Sequence, residues 1–117
     1  MSQERHRKPD ILQGTLDLMV LKTLAAMGPM HGYGLARRIE QLSDDAMQIS
    51  QGTIYLCLVR LVHKGWIHAA WGTSENNRKA KFYSISKAGG RQLVTETQNW
   101  ERVAGIIGRL LQLGTRG

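Results

Sequence analysis

The sequence has 117 residues and a mass of 13.1 kDa, enough for one domain with a modest core. Sixteen Lys and Arg against nine Asp and Glu give a net charge of +7, and 42% of the residues are hydrophobic, too many for a disordered chain. A single cysteine excludes an internal disulfide, no apolar run is long enough to span a membrane, and the charged N-terminus does not resemble a secretory signal. These features predict a small, basic, cytoplasmic protein without membrane contact.

The first half of the chain carries helical patterning behind a polar segment. Residues 1–10 are charged, and we expect them to form a flexible arm. Apolar residues at spacings of three and four predict a helix over Leu16–Met27, which ends at Pro29 because proline cannot continue the hydrogen-bond ladder. Leu18 and Leu21 lie off its main apolar stripe. The helix is therefore apolar on a second side, which we expect another chain to bury.

Two shorter helices follow, separated by a turn. Leu35–Leu42 has helical spacing, and Ser43-Asp44-Asp45 has the composition of a turn. Ser50 is a suitable N-cap for a third helix that runs to about Lys64, where Gly65 ends it. The predicted inward side chains of the third helix are Ile54, Leu58 and Leu61.

The second half predicts a β-hairpin and a long helix. Trp66–Thr73 and Lys81–Ser86 have strand composition and are joined by a polar turn whose tip is basic. Ser86 then caps a last helix, in which apolar residues at seven-residue steps and interleaved positions form a coiled-coil-like seam. The seam residues, which we predict to form a dimer interface, are Leu93, Trp100, Val103, Ile107 and Leu110.

This order of elements predicts a mainly α fold with a small β-hairpin, a winged helix-turn-helix over residues 11–86 followed by a dimerisation helix over residues 87–117. Residues 60–91 carry seven positive side chains against Glu75 alone, so nearly all the excess charge lies in one stretch. Such a stretch is typical of proteins with a polyanionic partner, although it can also be a solvated basic face. Because the third helix can enter the major groove beside a basic hairpin, double-stranded DNA is the predicted partner.

The candidate DNA contacts lie on the third helix and the hairpin. At the start of the helix, Gln51 and Thr53 can contact bases or phosphates, or can be ordinary residues of a first turn. Tyr55 can equally be a half-buried packing residue. Arg60 and Lys64 are more often solvated, but in this basic stretch they would add affinity that does not depend on sequence, and the cations of the hairpin contact phosphates or belong to a soluble loop. The predicted contacts are Gln51, Thr53, Tyr55, Arg60, Lys64, Arg78, Lys79 and Lys81.

Several segments, taken together, resemble the PadR family of winged-helix transcriptional regulators. They span residues 11–113 and include Gly28-Pro29-Met30-His31-Gly32-Tyr33, Gln51-Gly52-Thr53-Ile54-Tyr55, Lys64-Gly65-Trp66-Ile67, residues 74–83 and Ser86-Lys87-Ala88-Gly89. The resemblance implies a homodimer held by the C-terminal helix, a palindromic DNA site and usually repression. It also implies that the hydroxyl of Tyr55 can reach a phosphate. Some members of the family bind flat small molecules between aromatic residues at the dimer interface, so Trp100 is a candidate ligand contact, or else an ordinary packing residue of that interface.

The chain departs from the family pattern within the third helix. Leu56-Cys57 stands where the family usually has Pro-Ala, and Val59 stands where a polar residue is common. At their helical positions Leu56 and Val59 fall near the side opposite the core. There they can contact thymine methyl groups, can mark an altered helix start, or can bind another protein. The alternative function is therefore a winged-helix module for protein–protein interaction.

No catalytic or metal-binding pattern is visible in the sequence. The four histidines form no HxxxH or HExxH pair, and Cys57 has no ligand partner nearby, so it is interpreted as a small hydrophobic residue. We therefore expect no cofactor, no metal and no enzymatic activity.

Overall fold

A computed structural model describes residues 13–114. The predicted arm, residues 1–10, lies outside this range. In chain order the elements are α1 (Gln13–Met27), β1 (Met30–His31), α2 (Gly32–Leu42), α3 (Gln51–His63), β2 (Ile67–Thr73), β3 (Lys79–Ile85) and α4 (Lys87–Leu111). This is the winged helix-turn-helix that the sequence predicts, followed by one long helix.

The helix ends follow from side chains that satisfy free backbone groups. Ser50 accepts a hydrogen bond from the N–H of Thr53 at 3.1 Å, and Ser86 accepts one from the N–H of Gly89 at 2.9 Å, so both predicted N-caps are confirmed. Gly65 has φ of +76° and, with the residue after it, donates to the last carbonyls of α3. This left-handed cap, which favours glycine, turns the chain directly into β2.

The sheet has three strands in the order β1-β3-β2, all antiparallel. The sequence predicted only the β2–β3 hairpin, so the two-stranded prediction is corrected by the addition of β1, in which Met30 pairs with Tyr83 and His31 with Phe82. The third strand, β3, also begins two residues earlier than predicted, at Lys79. We call the β2–β3 hairpin, residues 67–85, the wing.

The core lies between α1, α2, α3 and the inner face of the sheet. α1 packs against all three other helices and β3, which explains its apolar surface on more than one side. Leu21 is completely buried within this one chain. The expectation that another chain buries the second apolar side of α1 is therefore wrong at Leu21, because its own chain buries this side chain completely.

The start of α4 sits tightly against the junction between α3 and β2. The hydroxyl of Ser86 donates to the carbonyl oxygen of Gly65 at 2.7 Å, and the N–H of Ser86 donates to that of Trp66 at 3.0 Å. A Cβ atom at Gly89 would lie 1.9 Å from the same Trp66 oxygen, so only glycine fits there. The end of α3 and the start of α4 are thus held in direct contact, and we call this contact, made by Gly65, Trp66, Ser86 and Gly89, the joint.

Candidate nucleic-acid interface

The first turn of α3 is held by its own cap and presents Gln51 to solvent. The Ser50 hydroxyl also donates to the Thr53 hydroxyl at 2.9 Å, so Thr53 takes part in the cap. Gln51 is exposed and Thr53 is half-buried. Of these two predicted contacts, Gln51 is the more accessible to a partner.

The outward face of α3 is defined by Gly52, Tyr55, Leu56, Val59 and His63, all of which are exposed. Opposite them Ile54, Cys57, Leu58 and Leu61 are buried. The prediction of Ile54, Leu58 and Leu61 as the inward stripe is confirmed. Leu56 and Val59 point away from the core, as their helical positions predicted.

The wing presents its cations on an ordered turn. The N–H of Ser74 donates to the carbonyl of Arg78 at 2.8 Å, and Asn77 takes the left-handed conformation with φ of 62°. Arg78, Lys79 and Lys81 are exposed. We call these three the wing cations.

The wing cations and the start of α3 line one open groove with a volume of about 450 Å³. Gln51 and Tyr55 line it from α3, and the wing cations line it from the hairpin. Tyr83 of β3 also lines the groove, and its burial raises the pKa of its hydroxyl. A groove lined by an amide, phenol hydroxyls and three cations can accept a phosphate backbone.

Tyr33 is a groove residue that the sequence analysis did not single out. It is 61% exposed and lies in the first turn of α2, where the Nδ1 atom of His31 accepts the N–H of Gly34 at 3.0 Å. The available signal was an aromatic residue between two glycines, Gly32 and Gly34, at a helix start. A large aromatic side chain left in water beside a cationic hairpin is a candidate contact.

Arg60 has an internal partner. Its Nη2 atom lies 2.5 Å from Oδ1 of Asp17 in α1, and the same oxygen accepts a 3.2 Å hydrogen bond from the thiol of Cys57. Because Asp17 is buried, this ion pair fastens α3 to α1. The guanidinium does not line the groove, and its ion pair gives it a structural role. Contact between Arg60 and a phosphate stays a prediction.

Lys64 lies at the other end of α3 from Gln51. Its Nζ atom is 4.7 Å from the ring centre of Trp66, a cation–π contact that leaves the side chain exposed. It does not line the groove. Contact between Lys64 and a phosphate stays a prediction.

Cys57 is a core residue with an unreactive environment. Burial, followed by the hydrogen bond to Asp17, raises the pKa of its thiol to about 12. A thiol held neutral at physiological pH is a poor nucleophile.

Within residues 13–114 no group of three or more His, Cys, Asp or Glu side chains is placed to hold a metal ion. No helix in the same range combines the length and apolar character needed to cross a membrane.

The predicted α4 seam divides into two parts. Leu93 packs against the core of its own chain. Trp100, Val103, Ile107 and Leu110 are exposed, as are three neighbours that the seven-residue pattern omitted, Ile106, Leu111 and Leu113. The far half of α4 is thus a large apolar surface on a single chain, which is typical of a protein interface.

Comparisons with known proteins give one family match and several similar proteins. The profile of the transcriptional regulator PadR-like family matches residues 20–95. A transcriptional regulator from Clostridium thermocellum is 25% identical with a TM-score of 0.77, and the match covers 86% of this chain and 96% of that one. A PadR-like transcriptional regulator from Bacillus cereus is 27% identical with a TM-score of 0.75, covering 88% and 97%. A protein of Lysinibacillus sphaericus, known as uncharacterized protein X, is 29% identical over 100 residues, 86% of this chain and 91% of the relative.

Proposed function

We propose that this chain, which belongs to the PadR-like family of transcriptional regulators, is a repressor that binds a palindromic site on double-stranded DNA as a homodimer. The observation that carries the proposal is the groove in which Gln51 and Tyr55 of α3 face the wing cations. Charge, helix position and hairpin position support the same partner. In this proposal residues 11–86 bind DNA and residues 87–117 form the dimer.

Each protomer contacts DNA with two elements. The outward face of α3 enters the major groove, which is about 12 Å wide and admits one helix. The wing cations then lie beside the flanking phosphates, and Tyr33 and Tyr55, which line the same groove, donate their hydroxyls to phosphate oxygens. The phosphate contacts supply affinity, and the α3 contacts supply sequence preference.

The exposed half of α4 supports dimerisation. Trp100, Val103, Ile107 and Leu110 lie along one side of a helix that extends beyond the winged domain, and a second copy would bury them. A twofold pair places two α3 helices in successive major grooves, about 34–36 Å apart, and therefore requires an inverted repeat.

Binding at a promoter represses by excluding RNA polymerase, and the protein acts in the cytoplasm without enzymatic activity. An effector would act at the dimer interface beside Trp100, and would change DNA affinity only by binding the two dimer geometries unequally. The second candidate function, a winged-helix module that binds a protein, is favoured by the exposure of Leu56 and Val59.

Footprinting on the DNA upstream of the chain's own gene tests the proposal. We expect protection of an inverted repeat with half-sites one helical turn apart, affinity that falls steeply with salt, and fewer transcripts from that promoter in vitro. Affinity for DNA that is absent, or independent of salt, would favour the protein-binding module.

The dimer is tested separately by Trp100→Ala with Ile107→Ala. Because these side chains lie on the exposed apolar side of α4, we expect the variant to sediment as a monomer and to bind the full site more weakly. Val94→Ala is the matched control, since Val94 is also exposed on α4 but lies away from the seam. A double variant that sediments as the wild-type dimer would place the interface elsewhere.

A further inference from the structure

The outward face of α3 is apolar at its centre. Leu56 is 62% exposed and Val59 is 46% exposed, and the residues at helical spacing before and after them are Gly52 and His63. Neither aliphatic side chain belongs to the core of the chain. The packing of the domain therefore does not account for a leucine and a valine at these two positions.

We propose that Leu56 and Val59 read thymine through its 5-methyl group, so that the half-site carries thymine opposite the centre of α3. This inference rests on the proposed function. The thymine methyl is the apolar group that a base pair presents in the major groove, where the other base edges present hydrogen-bond donors and acceptors. An aliphatic side chain gains by covering that methyl, and it leaves the donors or acceptors of a G·C pair without water or a partner.

The spacing of the two side chains fits neighbouring base pairs. Residues three apart on a helix have Cβ atoms about 5–6 Å from each other, and successive base pairs are about 3.4 Å apart along the duplex. Leu56 and Val59 can therefore contact the methyl group of one thymine together, or the methyl groups of two thymines on neighbouring base pairs. Gly52, one turn before Leu56, carries no side chain that would hold the helix away from the groove floor.

The surroundings of these side chains favour DNA over an apolar protein surface as the occupant. Gln51 and Tyr55 are also exposed on α3, and they line the same groove as the three wing cations. A partner that covers Leu56 while meeting three cations must present apolar groups between rows of negative charge. The major groove of a thymine-containing duplex has this arrangement, with methyl groups on its floor and phosphates along both edges.

The test removes the methyl groups and nothing else. The full chain is used to select a duplex from a random pool, and its Kd is then measured for that duplex and for the same duplex with each half-site thymine replaced in turn by uracil. Uracil keeps the pairing with adenine and the O4 acceptor but lacks the methyl. At each contacted position we expect the substitution to weaken wild-type binding about fourfold, the value for one buried methyl-sized group.

A protein variant completes the cycle. Leu56→Ala is expected to bind the thymine duplex more weakly and to respond less than about twofold to uracil at the position that Leu56 covers. Leu42→Ala is the matched control, because Leu42 is 68% exposed at the end of α2 and loses the same atoms. That control should keep the full wild-type response to uracil.

The outcomes separate this inference from the proposed function. Equal wild-type affinity for the thymine and uracil duplexes would overturn methyl recognition while leaving DNA binding intact, and would assign the aliphatic face to a protein contact. An undiminished response to uracil in the Leu56→Ala, Val59→Ala double variant would also overturn it, because the methyl effect would then act through DNA shape. Failure to select any duplex would overturn the proposed function together with this inference.

Discussion

Replacing two of the wing cations, by Arg78→Ala with Lys79→Ala, should change the salt dependence of DNA binding by an amount that can be calculated. Both side chains are exposed and line the groove beside Gln51, and neither forms an ion pair within residues 13–114. Each phosphate that a cation neutralises contributes about −0.9 to the slope of log K against log salt concentration. The slope should therefore become shallower by about 1.8 for one bound protomer and by about 3.6 for a symmetric dimer.

The same arithmetic gives the change in affinity. Between about 50 and 200 mM salt, the ratio of wild-type to variant affinity should shrink by about 12-fold for one protomer and about 150-fold for two. Fluorescence anisotropy with a labelled duplex over a series of salt concentrations measures both quantities. The size of the change thus reports how many wings contact the duplex.

The control is Lys22→Ala with Arg91→Ala, which removes the same charge from exposed positions outside the groove. This pair should lower affinity slightly through the overall field of the protein and leave the slope almost unchanged. A wild-type slope in the wing variant, or an equal change of slope in the control variant, would refute phosphate contact by the wing.

Three further predictions concern the scaffold. Gly89→Ala should destabilise the chain by about 2 kcal/mol or more, because its Cβ would overlap a backbone oxygen. The control, Gly90→Ala, places its Cβ in open space in the same helix and should stabilise the chain by about 0.5–1 kcal/mol. Equal shifts of the two variants in urea denaturation would contradict this prediction. Iodoacetamide at pH 8 should modify Cys57 about a thousandfold more slowly in the folded chain than in urea, since burial raises the pKa of this thiol to about 12; similar rates would show that the thiol is accessible. Hydrogen bonds from the N–H of Ile49 and then from the side chain of Arg37 lower the pKa of Glu40 in the folded chain. The charge of Glu40 therefore stabilises the fold fully above the unfolded pKa of about 4.3, and this contribution is lost as pH falls through the lower folded pKa. Glu40→Gln should accordingly lower Tm at pH 7 but not near pH 2, and a Tm difference independent of pH would argue against the assignment.

The sequence predicted the parts of the fold that depend on neighbouring residues. Ser50 and Ser86 were identified as N-caps because a hydroxyl at that position bonds to an N–H three residues later. Gly65 was identified as a helix end because its left-handed conformation suits glycine. The exposure of Leu56 and Val59 followed from helical periodicity alone.

The features that the sequence did not predict depend on residues far apart in the chain. β1 has two residues, too few to show an alternating pattern, and it forms because β3 offers free backbone groups beside Met30 and His31. The pairing of Arg60 with Asp17 joins residues 43 positions apart. Composition showed Arg60 as one more cation in a basic stretch, and only the packing of α1 on α3 gave it a carboxylate.

The joint between α3 and α4 links the two halves of the proposed function. Ser86 bonds to the backbone of Gly65 and Trp66 immediately after α3, and Gly89 lets α4 approach that backbone so closely that a methyl group cannot fit between them. Rotation of α4 at a dimer interface would therefore carry α3 with it instead of being absorbed by a loop. Because α4 extends over 25 residues, a small change in the angle between two α4 helices of the proposed dimer would become a large change in the separation of its two α3 helices. The distance between two major grooves is fixed by the DNA, so in the proposed dimer this joint would make DNA affinity sensitive to a ligand that changes the angle between protomers.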